Sequence, residues 1–468
     1  MKGRFEAATI PAAVPGPRNA FAFRSHYGIF PSLLLLPFTT VPWALRGVLG
    51  AAGLDAGIAL AWTTGALLAV LAFRRLARTV APEASPWWTP AFLASTFLWA
   101  YAADSFFETF SAAGLSYAAA AILGDGRRDG AAPPFLAVAA FAGAALLKPV
   151  LWVTAPAFVL GAALAWRERK GAAGRLLALG ALLAAGLAAG WAASALRFGG
   201  GENFGYGDEA LRFTTPLLAG LYGLLASPGR GLLLYAPLAL VGLGRLFFRG
   251  VPPAVRALCG GAPLLLLLTV ARFEGWHGGS AWGPRHLLPV LPLLAVPALL
   301  APRPAARAAV ALGTAVNALG VLVAAGAWIS WAELLRPPAG ASWPPSGPEI
   351  VSVVPALSPV SGHAILLGRS LGLPLASPAE RIGAAERVAL PSAALFVSPA
   401  LVRALLGLPP VRPMSPAILH RIGAAYALRG DPATGIVFLR EAAALEPGRR
   451  GLRELLGELE AKAPPPRR

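Results

Sequence analysis

The chain has 468 residues, of which 56% are hydrophobic and only 13% charged, whereas a soluble globular domain carries about 25% charged residues. That balance excludes a soluble fold, and because the apolar runs are continuous rather than alternating, it also excludes barrel strands and leaves helices to satisfy the backbone in hydrocarbon. The formal net charge of +18 would suggest nucleic acid in a soluble protein, but here it sits in short connections between apolar runs, where cytoplasmic loops of membrane proteins place it, so no nucleic-acid partner is expected.

Residues 1–27 contain Pro11, Pro15 and Pro17 and no long apolar core, so no cleavable signal peptide is read there. The stretch 28–49, with Pro31, Pro37 and Pro42, is either a first span or a helix lying at the membrane surface. Spans are then expected near 54–73, 86–103, 106–123, 131–147, 149–166, 174–196, 231–248, 252–271, 286–301 and 304–328. The expected fold is all-α: a polytopic bundle over 28–328 of about ten or eleven spans, each near 20 residues. Residues 329–415, rich in Pro, Ala and Ser, read as an outer linker. In 416–463, Ile422, Gly423, Tyr426, Gly435, Leu439, Ala442 and Pro447 fall at the offsets of one tetratricopeptide repeat, a helical hairpin of the kind that docks protein partners. An ordinary hairpin is the alternative.

Arginines favour the cytoplasmic side in short loops. Arg74, Arg75, Arg78, then Arg127 and Arg128, then Arg167, Arg169, Lys170 and Arg175, then Arg245, Arg249 and Arg256, then Arg303 and Arg307 therefore belong inside. The alternate connections, with Asp104, Glu108, Lys148, the loop 197–230 and the stretch Arg272 to Arg285, belong outside with everything after residue 328. The sizeable loops thus share one face, and a site is sought there.

Asp104 and Glu108 stand four residues apart, on one face of any helix they share. Acids at membrane depth are costly and usually face a polar cavity, although Asp104 as a helix cap and Glu108 in the first turn is the structural alternative. In residues 272–294, Gly278, Gly279 and Gly283 permit close backbone approach, Arg272 and Arg285 are cation forks suited to phosphate, and Trp276 and Trp282, next to His277, suit a sugar face or an acyl chain. An interfacial belt of aromatics with snorkelling arginines is the alternative. Arg230, between Gly229 and Gly231, and Lys148, before Pro149, are further phosphate candidates, and snorkelling to headgroups is the other reading of Lys148. Glu202, Asp208 and Glu209 read as solvated loop charges. Cys259 stands alone, and His26, His277, His286, His363 and His420 form no pair at ligand spacing beside a carboxylate, so no metal site is expected. No serine sits in a nucleophile elbow.

Taken in order, SHYGIFPSLLLLPF (25–38), YAADSFFETF (101–110), LLKPVLW (146–152), LLASPGRGLLLYAPL (224–238) and WHGGSAWGPRHLLPVLPLL (276–294) resemble bacterial membrane glycosyltransferases of the GT-C superfamily, in the protein O-mannosyltransferase-like branch. The resemblance covers roughly residues 24–330. It implies a multi-pass protein of the bacterial cytoplasmic membrane, with large loops and tail on the periplasmic or extracellular side. It implies transfer of a sugar from a polyprenyl-phosphate carrier to a hydroxyl, with no cofactor beyond that donor. Asp104 with Glu108 match the family's second acidic position, and Lys148, Arg230 and Arg285 would meet the lipid phosphate. The family's first acidic loop precedes the segment that here starts at Tyr27, yet only Glu6 is acidic before it. Either the start is truncated, or the usual base is lost, or Asp55 substitutes. The alternatives to a transferase are a non-catalytic scaffold, a transporter of lipid-linked glycans, or an O-antigen ligase or polymerase.

Overall fold

A computed structural model describes residues 29–102, 107–125, 135–198, 212–279, 281–323, 351–352, 355, 358–371, 373, 420, 432–445 and 451–462. All the elements among them are helical. Five helices are long and apolar enough to cross a membrane: Ala56–Val80, Pro149–Trp166, Ala172–Leu196, Pro253–Arg272 and Arg303–Leu322. Phe30–Ala44, Phe135–Leu147 and Arg285–Leu300 are shorter apolar helices.

Helix α1 (Ile29–Ala44) turns at Leu45 into the long α2 (Arg46–Val80). Sixteen residues of α-helix reach about 24 Å, short of the ~30 Å hydrocarbon core. The expected span at 86–103 is two short pieces, α3 (Trp88–Ala94) and α4 (Leu98–Tyr101). The helix stops at Ser95, and the Thr96 hydroxyl donates back to Phe92 O at 2.8 Å, offering the backbone an alternative to continuing the helix. The run at 231–248 is likewise divided, into α10 (Leu232–Tyr235) and α11 (Pro237–Arg245), where Pro237 supplies no amide hydrogen.

Helix α5 (Glu108–Asp125) lies inside the bundle against α2 and α6 (Phe135–Leu147). Its small and hydroxylated residues allow this: Thr109, Ser111, Ala112, Ser116, Ala119 and Ala120 are buried, and such residues let helix backbones approach closely in membranes. A Cβ on Gly65 of α2 would stand 2.3 Å from Thr109 Oγ1, and one on Gly114 would stand 2.6 Å from Ala140 O.

The chain continues through α7 (Pro149–Trp166), α8 (Ala172–Phe198), α9 (Leu217–Leu225) and α12 (Pro253–Arg272), which carries a wide turn at Ala257–Gly261. Helix α13 (Arg285–Leu300) is wound more tightly at both ends, where Pro289 and Pro297 interrupt the donor series. Tighter winding rises about 2.0 Å per residue and stretches a short segment. Helix α14 (Arg303–Leu322) follows. Leu60, Leu67 and Leu71 of α2 and Leu177, Leu187 and Trp191 of α8 are exposed, an apolar surface suited to lipid. Two arginines satisfy carbonyls at and beyond helix ends: Arg245 Nε donates to Leu300 O at 2.8 Å, and Arg256 Nη2 to Phe248 O at 2.8 Å.

Within the stretch read as a linker, α15 (Pro359–Ser370) packs on α14, with His363 Nδ1 3.1 Å from Leu319 O. In the tail, α16 (Pro432–Leu445) and α17 (Leu452–Lys462) pack together, joined by Arg440 and Glu460 at 2.7 Å. Leu439 and Ala442 are buried there, while Ile422, Gly423, Tyr426 and Pro447 lie outside the described residues.

The α11–α13 contact is backbone on backbone, since a Cβ on Gly242 would sit 1.9 Å from Leu294 O. Gly242→Ala is therefore expected to destabilise the purified protein by about 1–3 kcal/mol or more through forced separation of the two helices. Gly244, where an added Cβ would meet nothing within 4 Å, supplies the control. Thermal unfolding in detergent should separate the two variants; equal midpoints would refute the close approach.

Candidate functional site

Helix α6 ends at Leu147 because Pro149 excludes the helical conformation from the residue before it. Lys148 accordingly takes extended angles, φ −139° and ψ 90°, and its side chain leaves the helix axis. Its Nζ donates to Glu108 Oε1 at 2.7 Å, across 40 residues of sequence. The same oxygen lies 3.5 Å from Arg285 Nε. The Glu108 side chain is 10% exposed, that of Lys148 14% and that of Arg285 23%, so this is a nearly dry ion cluster. Both of these cation contacts fall on Oε1 rather than Oε2.

The loop from Phe273 to Pro284 forms the next wall. Gly278, Gly279 and Gly283 all have positive φ, at 74°, 66° and 70°, a region that L side chains enter only with strain. A Cβ on Gly283 would also meet the Tyr235 ring at 2.9 Å. The Gly279 N–H donates to His277 Nδ1 at 3.0 Å. Burial, together with the Arg230 and Arg285 guanidiniums, pushes the His277 imidazole down to about 3. His277 is thus neutral at ordinary pH, and its accepting nitrogen is accounted for by the loop itself.

Arg230 is fully buried. Its turn is closed by Ser227 Oγ, which accepts from the Arg230 N–H at 3.2 Å, and by Gly229, whose N–H donates to Ser352 O at 2.9 Å. The guanidinium Nη2 donates to the Gly279 carbonyl and so ties this turn to the glycine loop. Among the described residues, Lys148 and Arg285 thus meet at the Glu108 carboxylate, and Arg230 is held on the glycine loop beside His277. Such a gathering of cations, in surroundings poor in water, suits an anion.

The structure thus brings together Glu108, Lys148, Arg230, His277 and Arg285, drawn from four separate stretches of chain. It leaves Arg272 apart: this residue is exposed and donates to Phe213 O at 3.2 Å. Trp276 is buried, its ring lying where a Cβ on Gly223 would come within 2.2 Å. Trp282 is also buried; its Nε1 donates to Asn317 Oδ1 at 3.1 Å, and its ring lies edge-on to Tyr235 at 5.2 Å. Both indoles pack within the protein and hold the loop. Asp104 lies outside the described residues, and of Asp55 only the backbone, in α2, is described. No group of three or more metal-ligating side chains occurs among the described residues.

No protein-family model, no curated protein and no solved structure matches the chain.

Two residues packed around the site were not singled out by the sequence. Asn317 is fully buried in α14 and donates through Nδ2 to Tyr235 O at 2.9 Å and Gly313 O at 2.8 Å, besides accepting from Trp282. An amide in an apolar span is a usable signal, because an unsatisfied polar group there is costly. His286 touches Lys148, and its signal was adjacency to Arg285.

Proposed function

We propose that the protein is a membrane glycosyltransferase, taking a sugar from a polyprenyl-phosphate carrier and placing it on a hydroxyl acceptor at the outer face of a bacterial cytoplasmic membrane. The observation that carries the reading is the pairing of Lys148 and Arg285 on Glu108, with the buried Arg230 tied to the adjoining glycine loop. In this chemistry the bond between the sugar's anomeric carbon and phosphate oxygen breaks, and one forms from that carbon to the acceptor oxygen. The acceptor proton passes to a carboxylate, Glu108 through Oε2 or Asp104, and the lipid phosphate leaves with added negative charge. Fixed cations stabilise that charge as it develops.

A groove of about 580 Å3 between α7 and α8 adds support. It is lined by Trp152, Pro156, Val159, Leu160, Leu183 and Leu187, and Trp152 follows Lys148 by four residues. Its lining is apolar and suits an acyl chain.

A second reading, a non-catalytic scaffold or a carrier of lipid-linked glycan, is favoured by one feature: Glu108 Oε1 is already shared by Lys148 and Arg285. The two readings part in one experiment, transfer from a polyprenyl-phosphate sugar in membranes holding the parent, Asp104→Asn, Glu108→Gln or Arg285→Ala. The transferase reading expects activity in the parent and its loss in Arg285→Ala and in at least one acid variant. Full activity in all three would sink the site assignment, and binding without transfer in the parent would favour the carrier.

A further inference from the structure

We infer that His286 is a positioning residue, one that aims the Lys148 ammonium at the anionic ligand; this rests on the phosphate-binding role proposed above. The hydrogen bonds define its chemistry. Nε2 stands 3.1 Å from the Gly275 carbonyl oxygen, which can only accept, so Nε2 carries the ring hydrogen. Nδ1 is left with its lone pair, and Lys148 Nζ stands 3.2 Å from it. An ammonium offers three tetrahedral N–H bonds. One goes to Glu108 Oε1 at 2.7 Å and one to His286 Nδ1. Together they fix the direction of the third.

Glu108 alone would leave the ammonium able to turn about the Nζ–Oε1 axis at the end of a flexible four-carbon stem. His286 removes that freedom. The imidazole is itself held: its residue is the second of the tightly wound Arg285–Val290 turn, and the ring is anchored on Gly275 and lies edge-on to Phe273 with ring centroids 6.0 Å apart. The glycine loop, α13 and the break after α6 are thereby locked in one register through a single side chain. Donors fixed before the ligand arrives need no reorganisation when charge develops on it.

The test uses the full chain purified in detergent, with farnesyl phosphate as the probe. His286→Phe keeps a flat ring and removes both nitrogens, while His286→Gln supplies an amide oxygen for Lys148 and an amide hydrogen for Gly275. The expected results are about tenfold weaker binding in His286→Phe, recovery to within about threefold in His286→Gln, and no further loss when His286→Phe is added to Lys148→Met, because coupled residues are not additive. A second readout needs no ligand: acetic anhydride should acetylate Lys148, followed by mass spectrometry, several-fold faster in His286→Phe than in the parent. Independent, multiplicative losses in the double variant, or unchanged acetylation of Lys148, would overturn the inference. If the parent fails to bind farnesyl phosphate, the phosphate reading falls, and the acetylation rates still decide whether His286 holds Lys148.

Discussion

Glu108→Gln is expected to lower the stability of the protein by about 3–5 kcal/mol, the usual cost of removing one partner from a buried ion pair. The cost arises on the side of the residues left behind. Glu108 Oε1 is 2.7 Å from Lys148 Nζ and 3.5 Å from Arg285 Nε, so a neutral amide leaves two cations facing each other where water hardly reaches. The companion result distinguishes this from a general packing defect. In Glu108→Gln/Lys148→Met one cation is removed along with the carboxylate, and because a buried pair can be exchanged for neutral groups at little net cost, most of the lost stability should return, to within about 1–2 kcal/mol of the parent. Where Glu108 is the group that takes the acceptor proton, transfer is absent from both variants. Thermal or denaturant unfolding in detergent, monitored by tryptophan fluorescence, measures the first effect. A double variant no more stable than Glu108→Gln alone would show that repulsion between cations is not what the carboxylate relieves.

Much of this cluster was legible in the sequence for a physical reason. Where so few residues are charged, each charge placed among apolar runs must have a partner or reach water, so Glu108, Lys148, Arg230 and Arg285 stand out one by one. Their mutual pairing was not legible, because Glu108 and Lys148 are 40 residues apart and meet only when α5 and α6 pack. The helical class followed from the continuous apolar runs. The length of the helices did not, because hydropathy reads each apolar run as one span and does not weigh what breaks the backbone inside it: Ser95 ends α3, and Pro237 separates α10 from α11. The tryptophans show a different limit. Trp276 and Trp282 sit in a motif suited to ligand binding, yet the indoles fill space over Gly223 and beside Tyr235 and Asn317. Composition cannot tell a ring that receives a sugar from one that braces a loop. What makes a motif dense in aromatics, glycines and arginines is here divided between bracing, done by the tryptophans, and charge, supplied by Arg285.

That division yields the sharpest comparison, between two arginines of the same motif. On the proposed transferase reading, Arg285→Ala is expected to reduce the rate of sugar transfer by about 10²–10³-fold, the typical effect of deleting one fixed donor to developing charge. Arg272→Ala is expected to leave it within about threefold, since an exposed charge is solvated and screened and contributes little. The geometry supports the contrast: Arg285 lies against Glu108 and bears on His277, while Arg272 ends α12 exposed and donates to Phe213 O at 3.2 Å. The split between kcat and KM carries the mechanism further. If Arg285 meets charge that grows as the phosphate leaves, kcat should fall by most of the total and KM should change little; if it meets only the ground-state phosphodiester, the loss should appear in KM with kcat preserved. Equal effects of the two substitutions would mean that the arginines serve the membrane surface alike, and that the buried cluster is not the transfer site proposed.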